Sequence, residues 1–182
     1  GTRVLLTQGP TGVYNAIGHY LARRQAPASA PAVEPPPPPR PTPPRGGPVQ
    51  IDPVECPALT PHTQPVDIIV CVHNALDDVK ACLAAVLRHT AAPYRLILVD
   101  DGSAAPTRDL LAEFAQTHGA TLVRNETANG YTLAANQGMR LSSSPYLVLL
   151  NSDTVVSEDW LDRLVVCAES DTRIGIVGPL SN

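Results

Sequence analysis

From Val66 onward, short apolar runs alternate with one-sided apolar patterns of helical period, and this alternation restricts the fold more than any other feature of the chain. The runs are VDIIVCV from Val66, RLILVD from Arg95, ATLVR from Ala120, YLVLLN from Tyr146 and IGIVGP from Ile174. They are continuous and rich in Val, Ile and Leu, as strands covered on both faces are. Between the first two, DDVKACLAAVLRHT carries Val79, Cys82, Leu83, Val86 and Leu87 on one helical face. A second helix opens at Pro106, turns Leu110, Leu111 and Phe114 inward and stops at Gly119. YTLAANQGMRL predicts a short helix of small residues, and SEDWLDRLVVCAE predicts a fourth helix capped by Ser157. The order predicts an α/β fold with a mostly parallel sheet and helices on both faces.

Upstream the pattern changes. Residues 1–25 hold a small apolar group, Val4, Leu5 and Leu6, and one possible amphipathic helix through Val13, Ile17, Tyr20 and Leu21. That is too little to bury itself, so it reads as the end of an upstream domain or as an appendage packed on the next one. Residues 26–65 carry proline at a density that favours extended polyproline II, and they read as a linker; a PxxP ligand is the less common use. The third unit, 66–182, holds the alternating pattern.

Composition narrows the partners. A formal charge of -4 and scattered Lys and Arg leave no basic footprint for nucleic acid. Cys56, Cys71, Cys82 and Cys167 have no metal-ligand spacing and read as reduced and structural. No apolar run approaches the roughly 20 residues of a membrane span, and no signal-peptide layout opens the chain, so a cytoplasmic protein is expected.

Ligands of open α/β sheets bind outside the carboxyl ends of the strands. Those ends deliver Cys71, His73 and Asn74; Asp100 and Asp101; Arg124, Asn125 and Glu126; and Asn151, Ser152 and Asp153. Each group alone has a bland explanation. Asp, Gly and Ser suit turns, Asn74 suits a helix cap, and NGYTLAANQG suits a helix packed closely through Ala134, Ala135 and Gly138. Their convergence on one edge favours a site. Asp101 can accept a hydrogen bond from a base imide N–H, and His73 offers a flat ring, which together suit a pyrimidine. Asp153 suits a hard divalent cation that neutralises a diphosphate.

IIVCVHNALDDVKACLAAVL, LILVDDGS, NGYTLAANQG and YLVLLNSDT, in that order, resemble the N-terminal, donor-binding half of a family 2 glycosyltransferase with a GT-A (Rossmann-like) fold. The likeness runs from Val66 to Asn182. It implies that Asp101 recognises the nucleotide base and that Asp100 is a structural or ribose-side group. It places Cys71 beside the base, His73 where an aromatic usually lies, and Asn74, Asn129, Gly130 and Asn136 among the residues that bind the nucleotide. NSDT stands for a DxD-like motif, with Asn151 and Ser152 towards the nucleotide and Asp153 towards Mg²⁺ or Mn²⁺ and the phosphates. Asn151 in place of the first acid resembles rhamnosyltransferase-like members.

The activity so implied is inverting transfer of a sugar from a UDP or dTDP donor to an acceptor hydroxyl, in polysaccharide or glycoconjugate synthesis, compatible with peripheral association at the inner face of the cell membrane. The general base that takes the hydroxyl's proton is expected beyond Asn182, so this segment is expected to hold the donor site and to catalyse nothing alone. Asp159, Asp162 and Glu169 read instead as the solvated face of the fourth helix. Two rivals fit less well. A sugar-nucleotide nucleotidyltransferase wants a glycine-rich basic loop where VHNALDDVK stands, and a non-catalytic, receiver-like doubly wound domain wants a downstream lysine, whereas Lys80 is the only one.

Overall fold

A computed structural model of the chain describes residues 3–6 and 59–179. The expected helix through Val13 and Tyr20, the proline run and Cys56 lie outside the described residues. In chain order the elements are β1 (Arg3–Leu6), β2 (Val66–Val72), α1 (Leu76–His89), β3 (Tyr94–Asp101), α2 (Ala105–His118), β4 (Thr121–Asn125), α3 (Tyr131–Leu141), β5 (Tyr146–Asn151), α4 (Trp160–Glu169) and β6 (Ile176–Val177). The strands form one parallel sheet in the order β4-β3-β2-β5-β1-β6. Among the described residues no helix is long and apolar enough to cross a membrane.

Alternation along β2 sorts the core into two layers. Val66, Ile68, Val70 and Val72 face the layer shared with α1, α2 and α4. Ile69 and Cys71 face the layer closed by α3 through Ala134, Ala135 and Met139. Helices therefore cover both faces, as the sequence predicts. The chain moves from β2 outwards to β3 and β4, then crosses over the opposite face through α3 to β5 on the other side of β2. The gap between β2 and β5 is thus the switch point at which such sheets open a crevice.

The small residues of α3 serve a close approach. A Cβ at Gly138 would lie 2.4 Å from Ile69 Cγ2 and 3.3 Å from Val99 Cγ2, so only glycine lets the helix settle there. Gly119 ends α2 in the left-handed conformation, φ 68°, and donates its N–H to the Ala115 carbonyl.

Two expectations are corrected. Ser157 caps nothing: α4 begins at Trp160, after Asp159 in a left-handed turn of φ 57°. Trp160 is buried and its indole donates to Thr90 Oγ1 at 3.0 Å, so the start of the helix is set by where the indole seats. Asp162 is not on a solvated face; it is buried and accepts the His62 backbone N–H at 2.8 Å and pairs with His62 Nδ1 at 2.5 Å. Glu169 and Asp159 are exposed, as expected; Glu169 accepts the Tyr146 hydroxyl at 2.8 Å and Asp159 pairs with Arg163.

His62 lies within the proline-bearing stretch, so the last residues of that stretch pack on the α/β unit. Leu5 and its neighbours pair between β5 and β6, and Arg3 Nη1 donates to the Ala168 carbonyl.

At the amino edge of the sheet, Asp67 is wholly buried on the central strand β2. Arg95 on β3 grips both of its oxygens at 3.0 Å. The backbone N–H groups of Ser143 and Ser144 donate to Oδ2 at 2.9 and 3.1 Å. Burial pushes this carboxyl up, but Arg95 and the serines of residues 142–144 outweigh it and bring it to about 2. A carboxyl lowered on folding stabilises the protein above the ordinary carboxylate range and loses that contribution as the pH falls through its folded value. Asp67→Ala is expected to cost about 1–3 kcal/mol at neutral pH. In denaturant titrations its gap from the wild type should close as the pH approaches 2; a variant with wild-type midpoints at neutral pH would remove this anchor.

Candidate functional site

Cys71 on β2 pairs in register with Val99 on β3 and with Asn151 on β5. His73, Asp101 and Asp153 each lie two residues beyond that row on their own chains. The polar residues named from the sequence are thereby brought to one edge, on either side of the switch point. With strands spaced about 4.8 Å apart, the β3 and β5 ends are separated by roughly 10 Å.

The two aspartates that close β3 differ in what they hold. Asp100 turns into the fold: Oδ1 accepts the Ser103 N–H at 2.8 Å and Oδ2 pairs with Arg124. Arg124 Nη2 also donates to the Ser103 carbonyl at 3.2 Å, so Asp100 shapes the turn after β3. Asp101 holds the connection between β4 and α3. Its Oδ1 accepts Asn125 Nδ2 at 2.9 Å, its Oδ2 accepts the Gly130 N–H at 2.8 Å, and the Asn129 N–H is shared by both oxygens at 3.0 Å. Burial pushes the Asp101 carboxyl up, but the donors from Asn129, Asn125 and Gly130 and the neighbouring His73 outweigh it and hold it below its ordinary range. It is thus an ionised acceptor at neutral pH.

Asn74 and Ala75 both have positive φ, 59° and 53°, at the turn between β2 and α1. The Asn74 side chain does not cap α1; it crosses to accept the Ala104 N–H at 2.8 Å, while its own N–H donates to Ser103 Oγ at 2.9 Å. His73 is exposed. Its Nδ1–H donates to the Asp101 carbonyl at 2.7 Å and its Nε2 accepts from Asn74 Nδ2 at 3.1 Å, a tautomer that follows from the network. The two strand-end turns are thereby laced together.

Cys71, Val72, His73, Asp101, Ala128, Gly130, Tyr131 and Ala134 line a cleft of about 250 Å³. Burial, with Asp101 adding to it, pushes the Cys71 thiol up to about 12, so it packs as an apolar group and is no nucleophile. Tyr131 is the residue that the sequence reading leaves out; it follows Gly130 directly and its aromatic ring was the available signal. Asn125, at the end of β4, completes the Asp101 shell, a role that its position at a strand end does not reveal in the sequence. Asn136 is buried on α3 and is not part of the cleft lining.

Across the switch point, Asn151 uses its carbonyl to accept the Thr154 N–H at 3.1 Å and the Cys82 thiol at 3.5 Å, closing a turn. Asn151 and Ser152 are half-buried in that turn and Asp153 is exposed. Among the described residues no group of three or more His, Cys, Asp or Glu side chains could hold a metal ion. The single carboxylate of Asp153 fits a cation of the Mg²⁺ type, which keeps several waters and takes further ligands from substrate phosphates.

The family model described as glycosyl transferase family 2 matches residues 67–180. A glycosyltransferase of Haloferax volcanii, AglE, is 30% identical over 117 residues, covering 62% of this chain and 38% of its own length. A poly-beta-1,6-N-acetyl-D-glucosamine synthase of Staphylococcus epidermidis is 25% identical over 112 residues, covering 62% of this chain and 27% of its own. The chain thus spans well under half the length of these curated relatives. Among solved structures, the mannosyltransferase PcManGT of Pyrobaculum calidifontis with GDP-Man and Mn²⁺ is similar at a TM-score of 0.56 and 17% identity, covering 88% of this chain and 42% of its own. TarS of S. aureus with UDP-GlcNAc is similar at 0.53 and 15%, covering 58% and 31%. These two likenesses establish the fold.

The cleft depends on Gly102, which follows the two aspartates at φ 74°. A Cβ there would meet the Ala128 N at 2.6 Å and the Thr127 carbonyl carbon at 2.9 Å. Gly102→Ala is expected to lift the 127–130 segment off Asp101 and to destabilise the protein by about 1–3 kcal/mol. Hydrogen exchange would check it: the Asn129 and Gly130 amides should lose protection while those of β2 keep theirs, and unchanged protection would mean that the segment is not held from this side.

Proposed function

The chain belongs to glycosyl transferase family 2, and from that premise we propose that this part of it binds the nucleotide-diphosphate sugar from which the protein transfers a sugar to an acceptor hydroxyl. The observation that carries the proposal is the shared register row, beyond which Asp101 and Asp153 stand on opposite sides of the switch point. A nucleoside diphosphate has the matching order, a base at one end and a charged diphosphate at the other.

In this reading the base enters the cleft against the His73 ring, and Asp101 accepts the imide N–H of uracil or thymine. Asp101 is suited to it, since its donors hold it ionised and it lines the cleft. Asn129 and Gly130 keep the wall of the cleft in place, and Asp100 fixes the turn that carries Asp101. Asn151 and Ser152 present the turn that faces the diphosphate, and Asp153 would hold Mg²⁺ or Mn²⁺. A bound cation there compensates the charge that grows on the departing diphosphate. The PcManGT complex, with a guanine nucleotide and Mn²⁺, and the TarS complex, with a uracil nucleotide, support a donor of this class on this fold and leave the choice of base to local residues. The inverting course, a glycan or glycoconjugate acceptor and a rhamnosyl-type donor belong to the same proposal. The acceptor's proton taker is assigned to none of the residues described.

Calorimetric titration with UDP, dTDP, GDP and ADP, each with and without Mn²⁺, tests it. A pyrimidine diphosphate is expected to bind best and more tightly with the metal. Asp101→Ala should weaken binding about 10-fold or more, as loss of a hydrogen bond to a charged group does. Asp153→Ala should remove most of the metal dependence. Both variants must still melt cooperatively, and unchanged affinity in both would defeat the site assignment.

A further inference from the structure

A carboxylate that accepts an imide N–H reads half of that edge of a base; the carbonyl beside the N–H requires a donor. The residues that line the cleft leave little choice of side chain. The Nδ1–H of His73 is spent on the Asp101 carbonyl, and its Nε2 is an acceptor for Asn74. Asn125 and the Asn129 and Gly130 amides are committed to Asp101, and the Asn129 side chain donates to the Thr127 carbonyl at 3.0 Å. Val72, Ala128 and Ala134 have no polar side-chain atom, and the thiol of buried Cys71 is a weak donor.

Tyr131 remains. It opens α3, packs its ring on the core layer of Ile69, Cys71 and Val99, and lines the same cleft as Asp101. No hydrogen bond engages its hydroxyl among the described residues, and the wholly buried side-chain atom left unpaired there is Ser142 Oγ, not this one. A phenol on a packed ring, uncommitted and in the lining of a cleft, is a rigid donor held ready for a ligand.

We infer that the Tyr131 hydroxyl donates to the C4 carbonyl oxygen, one of the two that flank the imide N–H that Asp101 accepts, making Tyr131 a base-specificity residue of the donor site. The inference rests on the proposed function above. Donor and acceptor together select a base edge with C=O beside N–H, as in uracil and thymine, and reject cytosine, whose ring nitrogen at that position is an acceptor and whose neighbour is an amine.

Tyr131→Phe keeps the ring and removes the hydroxyl alone, so it is the variant of choice. Titration of the full chain with UDP, 4-thio-UDP and CDP in the presence of Mn²⁺ supplies a readout that packing would not move. The wild type should prefer UDP to 4-thio-UDP, because sulfur is the poorer acceptor. The variant should lose about 3- to 10-fold in UDP affinity, the worth of one neutral hydrogen bond, and should bind UDP and 4-thio-UDP alike. Its weak CDP binding should not change. An equal loss for all three nucleotides, or no loss for UDP, overturns the inference while leaving the donor site intact. A wild type that binds no UDP, or binds it independently of Asp101, overturns the donor-site reading and this inference with it.

Discussion

The Asp101 carboxylate is the point on which the arrangement of the cleft turns. It is 4% exposed at the end of an interior strand, and a buried charge must find donors or be neutralised. The donors come from one direction: Asn125 at the end of β4 and the Asn129 and Gly130 amides just ahead of α3. Satisfying the charge therefore bends the β4–α3 connection back over the carboxyl ends of β3 and β2. Gly102 permits that return, because any side chain there would strike the backbone at Thr127 and Ala128. The cleft follows as the space enclosed between this connection and the ends of β2 and β3.

A second buried aspartate does the corresponding work at the other edge. Asp67 takes the backbone amides of Ser143 and Ser144 just past α3, and its partner Arg95 donates to the Leu141 carbonyl at 3.1 Å. The short helix α3 is thus tied to β2 and β3 by one carboxylate before its first turn and by another after its last. Gly138, in close contact with Ile69 and Val99, lies between these two ties. Helical propensity contributes little in an element with glycine in its interior; polar ties at the ends and close packing between them hold it.

The parts of this fold that were legible in the sequence are those with local signals. The continuous runs of β2, β3 and β5, the one-sided pattern of α1, and Pro106 with Gly119 around α2 each announce an element without knowledge of its neighbours. The polar strand ends were legible too, since a parallel sheet aligns carboxyl ends regardless of register. The burial of Asp162 and Asp67 was not, because their partners, His62 and the Ser143 and Ser144 amides, lie 76 to 100 residues away. A charge pattern on one helix cannot report such pairing. The four-residue strand β1 was equally hidden: Val4, Leu5 and Leu6 are too few to show a period, and their place depends on Tyr146 to Leu149. In the site, Tyr131 does not stand out in the sequence, because the glycine before it and the alanines after it explain a tight helix start unaided.

The adjacent aspartates of LILVDDGS illustrate why residue type at a motif position does not assign a role. Successive residues of a strand point to opposite faces, so two carboxylates in a row cannot share an environment. Asp100 falls on the side of α1 and α2, where Arg124 and the Ser103 amide take up its oxygens, leaving it 1% exposed and a part of the turn. Asp101 falls on the side of α3, in the lining of the cleft, with three donors spread over its two oxygens. In the proposed donor site Asp101 would meet only the imide or amide hydrogen of a base and would be blind to the groups on either side. On that proposal, discrimination among bases comes from what stands next to Asp101 in the cleft, and the β4–α3 connection that satisfies Asp101 is the same segment that brings Tyr131 there.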